Sequence, residues 1–111
     1  MFNTKLKKIQ VQSIAAIYSA NDIDINLINL MSNFSVLIFA HGYKGYSITS
    51  TAIVPVVRMR TTTNGARLEL GANCSVYYKN ESTLVGKTGG NDFKLDIYGI
   101  YMGKDVWRES Y

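Results

Sequence analysis

The chain has one cysteine, Cys74, so no disulfide can form within it. That excludes the disulfide-stapled class of small secreted domains. Histidine is equally scarce. A nucleophilic cysteine needs a base beside it, and His41 is the one candidate. Cys74 stands between Asn73 and Ser75 with no paired motif and reads as a buried structural thiol. The longest apolar run, Val36-Leu37-Ile38-Phe39-Ala40, is far too short to cross a bilayer, so no membrane insertion is expected. The charges near the N-terminus are followed by Ile9-Gln10-Val11-Gln12, which alternates where a signal peptide would be apolar; this predicts a protein made and folded in a cytoplasm. Charged residues are only 18% of the chain, which leaves room for part of the exterior to be covered by another subunit. One proline, no low-complexity linker and no internal repeat make residues 1–111 a single domain, long enough for one modest core. No segment carries an amphipathic helical stripe.

What is present is a period of two. Asp22-Ile23-Asp24-Ile25-Asn26-Leu27 alternates polar with apolar, and so do Phe93, Leu95 and Ile97 around Lys94 and Asp96. Alternate side chains of a strand point to opposite faces, so this pattern builds one wet and one buried face. Strands are predicted over 5–12, 23–27, 34–41, 67–70, 74–79, 83–85 and 92–101. Residues 14–18 could extend the first strand or make a helical turn, and 29–33 a connection or a single helical turn. Residues 46–60 are rich in β-branched side chains, with a break, bulge or edge expected at Pro55. Gly42-Tyr43-Lys44-Gly45 has the composition of a hairpin loop, and Asn64-Gly65 is a strong hairpin signal, read as joining a strand ending near Met59 to one starting at Arg67. Seven to eight short strands with frequent turns predict an all-β, antiparallel, jelly-roll-like β-sandwich.

Chemistry is harder to find. Gly86-Lys87-Thr88 ends like a phosphate-binding loop, but Glu81 stands where the earlier glycine should be and a strand follows instead of a helix. Asp22 and Asp24 share one strand face, with Asp96 on a neighbouring strand. They could do acid–base work, though the wet side of an amphipathic strand explains them better. No catalytic or metal-binding constellation emerges, and no cofactor is expected. The net charge of +4 draws on Lys5, Lys7, Lys8, Arg58, Arg60 and Arg67. Tyr77 and Tyr78 are adjacent and face opposite ways, so they make no platform with Lys79 for a nucleic acid, and none is expected as partner. Aromatic side chains with a polar tip favour protein interfaces and sugar-binding surfaces. Tyr43 and Tyr46, flanking Lys44, are therefore the candidate ligand-binding residues, and Trp107 and Tyr111, in a tail without a core-like period, are candidate interface residues.

Three segments carry a resemblance. Ile25-Asn26-Leu27 is followed by Ser32-Asn33-Phe34-Ser35-Val36-Leu37-Ile38-Phe39; then come Ile53-Val54-Pro55-Val56 and the closing Phe93-Lys94-Leu95-Asp96-Ile97-Tyr98-Gly99-Ile100. Over roughly residues 22 to 101 the chain resembles small β-sandwich modules of bacteriophage tail fibres and receptor-binding proteins. The resemblance implies a virion location, a homo-oligomer, usually a trimer, contact with other virion proteins, and attachment to a host-surface glycan or protein. It transfers no binding residues. Two alternatives stay open: a capsid decoration or assembly protein of the same fold, and a small carbohydrate-active enzyme using Asp22, Asp24 or Asp96.

Overall fold

The structure, a computed structural model, describes residues 9–45 and 47–102 (backbone only for Ile9 and Met102). It is the predicted antiparallel β-sandwich. The strands are β1 (Ile9–Ile17), β2 (Ile23–Asn26), β3 (Val36–Tyr43), β4 (Ser47–Pro55), β5 (Leu68–Glu69), β6 (Ser75–Asn80), β7 (Thr83–Lys87) and β8 (Phe93–Met102). One sheet has the order β1-β8-β3-β4, the other β2-β7-β6-β5. The outer pairings are those of a roll, first strand with last and second with seventh, while β3–β4 is a hairpin and β5-β6-β7 a meander. Ile9 of β1 stands opposite Met102 of β8.

The core lies between the sheets. Leu37, Phe39, Leu95 and Ile97 from one sheet meet Ile25, Val76 and Leu84 from the other, all buried. A register shift between Ser13 and Ala15 turns Ile14 fully inward. Thus residues 14–17, locally ambiguous, continue a bulged strand. Backbone bonds hold the crossovers: Leu27 N–H donates to Ser82 O at 2.9 Å and Met31 N–H to Glu81 O at 2.8 Å.

The two outward faces differ. On the β2-β7-β6-β5 sheet the exterior is polar and ion-paired. Arg67 grips Asp22 with both terminal nitrogens (2.8 and 2.5 Å) and lies 4.8 Å from the Tyr77 ring centroid, and Lys79 Nζ is 3.0 Å from Asp24. On the other sheet the register aligns Val11, Ile100, Val36 and Pro55 across the outside, then Ser13, Tyr98, Ile38 and Ile53, then Ala16, Asp96, Ala40 and Thr51. The continuous apolar run of β3 therefore feeds both a core face and an apolar outer face.

Three expectations need correction. Residues 56–59 form a helical turn, α1 (Val56–Met59), not a strand. Pro55 cannot donate to a ladder and ends β4, as expected of it, on an edge strand. Val56 and Met59, three apart, then bury one side of the turn, so packing overrides the strand propensity of valine. Asn64-Gly65 makes a tight turn closed by a Thr63–Ala66 bridge but joins no two named strands, because α1 precedes it. Asp96 belongs to β8, in the opposite sheet from Asp24. Of the first predicted strand, residues 5–8 lie outside the described residues.

Gly99 is where β8 leaves space for a neighbour. A Cβ built there would sit 2.5 Å from the ring of Phe34, which is buried over it. Gly99→Ala is expected to destabilise the fold by about 1–3 kcal/mol through overpacking, read as a lower urea midpoint with unchanged m-value.

Candidate functional site

The β3–β4 hairpin builds the site. Gly45, with φ of 86°, takes the left-handed conformation that reverses the chain. Lys44 N–H donates to Asp92 O at 2.9 Å, tying the hairpin to the segment before β8. The register shifts between His41 and Gly42, and a Cβ on Gly42 would meet Ser47 O at 1.8 Å. Only glycine lets the two hairpin arms approach this closely, and the bared backbone floors a pocket of about 280 Å³. Ala40, Tyr43, Gly45, Ser47, Ile48, Lys94 and Asp96 complete its lining.

Aromatic stacking holds Tyr43 in place. The Phe93 ring packs against His41 (centroids 4.9 Å apart, 13° between planes) and against Tyr43 (4.6 Å, 27°). Beside the pocket, the ammonium groups of Lys44 and Lys94 stand 5.1 and 5.9 Å from the Tyr18 ring centroid. Each distance fits a cation–π contact. Lys94 Nζ is also 3.1 Å from Asp96, whose carboxylate raises the lysine pKa. Both partners are partly exposed, so the pair contributes at most about 1 kcal/mol to stability. Its value to a site is chemical: an ammonium donor and a carboxylate acceptor are held side by side in a pocket that Tyr43 also lines. That combination accepts a ligand with alternating hydroxyls and one apolar face.

Of the sequence candidates, Tyr43 lines the pocket and Lys44 lies at its margin on Tyr18. Tyr46, Trp107 and Tyr111 lie outside the described residues. Sequence reasoning missed Tyr18, Ile48 and Lys94, which only strand register brings here, and used Asp96 only as a possible acid. The three aspartates do not form one site. Asp22 is held by Arg67, whose hydrogen bonds put its carboxyl below the usual range; Asp24 pairs with Lys79, and Asp96 with Lys94. Glu81 is likewise lowered, by hydrogen bonds from Arg60 and then Tyr78. Among the described residues, no three His, Cys, Asp or Glu side chains gather as a metal site. Lys87 ends β7, and the Thr88 hydroxyl contacts the carbonyls of Ser19 and Gly90 before the chain enters β8. Cys74 is fully buried, and that burial pushes its thiol up to about 12.

His41 is buried behind the pocket. Its Nε2 accepts the Gly89 N–H at 3.0 Å, so the neutral ring carries its proton on Nδ1, which has no partner among the described residues. Burial lowers its pKa from the usual 6.5. Between the folded and unfolded values the unfolded chain binds a proton that the folded chain does not, so stability falls as pH drops below 6.5 and levels off below the folded value. The lowered carboxyls of Asp22 and Glu81 add their own loss only near and below their ordinary values of 3.8 and 4.5. The melting midpoint is therefore expected to drop by a few degrees from pH 7.5 to 5.5. In His41→Gln that slope should flatten, a comparison open to scanning calorimetry at several pH values. Compared with known proteins, the chain matches no family model, no curated protein and no solved structure.

Proposed function

We propose that this chain is a non-catalytic module of a bacteriophage virion surface, of the tail-fibre or tail-tip kind. In this reading it acts as a homo-oligomer, a trimer, alongside other virion proteins. It attaches to a host-surface saccharide through the pocket at the β3–β4 hairpin.

The observation that carries the reading is the makeup of that pocket. Tyr43 and Ile48 offer apolar contact, while Lys94 and Asp96 offer a donor and an acceptor 3.1 Å apart. Pyranose rings present hydroxyls around an apolar C–H face, and such a mixed wall suits them. The sandwich fold and the sequence resemblance over residues 22 to 101 support the same reading. The non-catalytic part of the reading is supported by Asp22 and Asp24, whose carboxylates pair with Arg67 and Lys79 at a distance from the pocket.

The test is a screen of the purified protein against bacterial surface polysaccharides and against whole cells. Binding is expected, and Lys94→Ala should weaken it at least tenfold by removing a charged hydrogen bond. Lys94→Ala leaves the core untouched and forfeits at most the ~1 kcal/mol of its pair with Asp96, so its melting midpoint should stay within about 4 °C of the parent. Binding to phage particles without any binding to cells or saccharides would favour the decoration reading instead.

A further inference from the structure

A second pocket, of about 330 Å³, opens at the end of the sandwich away from the hairpin. We propose that it binds an uncharged, hydroxyl-rich ring, a neutral sugar residue, and does so independently of the hairpin pocket.

Its walls come from two places. Gln10 and Gln12 of β1 and Tyr101 of β8 form one; Asn29, Asn33 and Phe34, from the connection between β2 and β3, form the other. Ile28 N–H donates to Ile14 O at 3.1 Å and ties that connection to β1. Phe34, buried over Gly99, anchors it to β8.

The register makes the two glutamines informative. Gln12 lies in one cross-strand row with Gly99, Leu37 and Val54, and Gln10 stands opposite Tyr101. Leu37 and Val54 of that row are core residues. A strand side that faces a core is expected to stay apolar, as it does at Ile14 and Ile17 farther along β1. Two exposed glutamines on this side break the pattern. Breaks of a local rule concentrate at functional sites. Solvation would explain amides on the outward side of β1; it does not explain them on the core side.

The chemistry of the lining selects the ligand. Four carboxamides line the pocket, and no charged side chain does. A carboxamide offers donors and an acceptor together without net charge. One pair is made internally: Asn29 Nδ2 donates to Gln12 Oε1 at 3.3 Å. The side-chain amides of Gln10 and Asn33 and the Tyr101 hydroxyl have no hydrogen-bond partner among the described residues, so their capacity is open to a ligand. Sugar hydroxyls both donate and accept, and the C–H face of the ring suits the aromatic edges of Phe34 and Tyr101. A phosphate or carboxylate would meet no cation here. The volume lies near the lower end of ligand pockets, which fits a single ring.

The experiment is an NMR titration of the isotope-labelled protein with glucose, galactose, mannose and N-acetylglucosamine, each to about 50 mM, with glucuronate as the charged control. The side-chain amide signals of Gln10, Gln12, Asn29 and Asn33 report this pocket, and the backbone amides of Gly42 and Gly45 report the hairpin. At least one neutral sugar should shift the first set along a saturable curve, in the weak range expected of so small a ligand. Glucuronate should bind roughly tenfold more weakly, because its charge would enter unpaired. Gln10 and Asn33 are exposed, so Gln10→Ala and Asn33→Ala should fold normally; each should weaken binding about fivefold by removing one neutral hydrogen bond. Lys94→Ala should leave it unchanged. No saturable shift of these signals with any of the four sugars overturns the site, as does a shift that both alanine variants retain in full. Shifts confined to Gly42 and Gly45 overturn it while leaving the hairpin reading standing.

Discussion

The sheet pairing of β8 is the constraint on which this fold depends. The last strand lies between the first and the third, so the register of Ile97 opposite both Ala15 and Phe39 places three distant parts of the chain at once. Neither β1 nor β3 has this partner until the sequence has run past residue 92. Loop closure over such separations costs entropy before any contact repays it, and folding should be slow for a chain of this size. The same strand supplies both sides of the argument for function. Leu95 and Ile97 complete the core, while Lys94 and Asp96 emerge outside at the hairpin.

The parts of this architecture visible in the sequence are those encoded locally. Alternation in Ile23–Asn26 and Phe93–Ile97 marks strands because a period of two needs only neighbours to be read. Gly42-Tyr43-Lys44-Gly45 marks the hairpin because turn chemistry is local too. The helical turn at Val56–Met59 was hidden, since β-branched residues favour strands and only the buried seats for Val56 and Met59 decide otherwise. The pocket was half visible. Tyr43 and Lys44 belong to the hairpin itself, but Ile48 and Lys94 come from two strands whose register no local pattern specifies, and Tyr18 follows the end of a third.

The two sheets also solve the problem of their outer surfaces differently. One invests its charges in cross-strand pairs, so that Arg67 reaches Asp22, Asn64 and Ser75 while lying on Tyr77. The other keeps its outer rows apolar and places its charge at the end near the hairpin. The uninterrupted run from Val36 to Ala40 is the sequence trace of this second solution: alternation disappears where both faces of a strand carry apolar side chains.

The pairing of Ile9 with Met102 has a geometric consequence. The chain enters β1 and leaves β8 side by side, at the end of the sheet where Val36 and Pro55 also meet. Tyr43 and Phe93 mark the opposite end, about 30 Å away over nine residue steps. The domain is thus polarised: Ile9 and Met102 share one pole, and the hairpin pocket lies at the other.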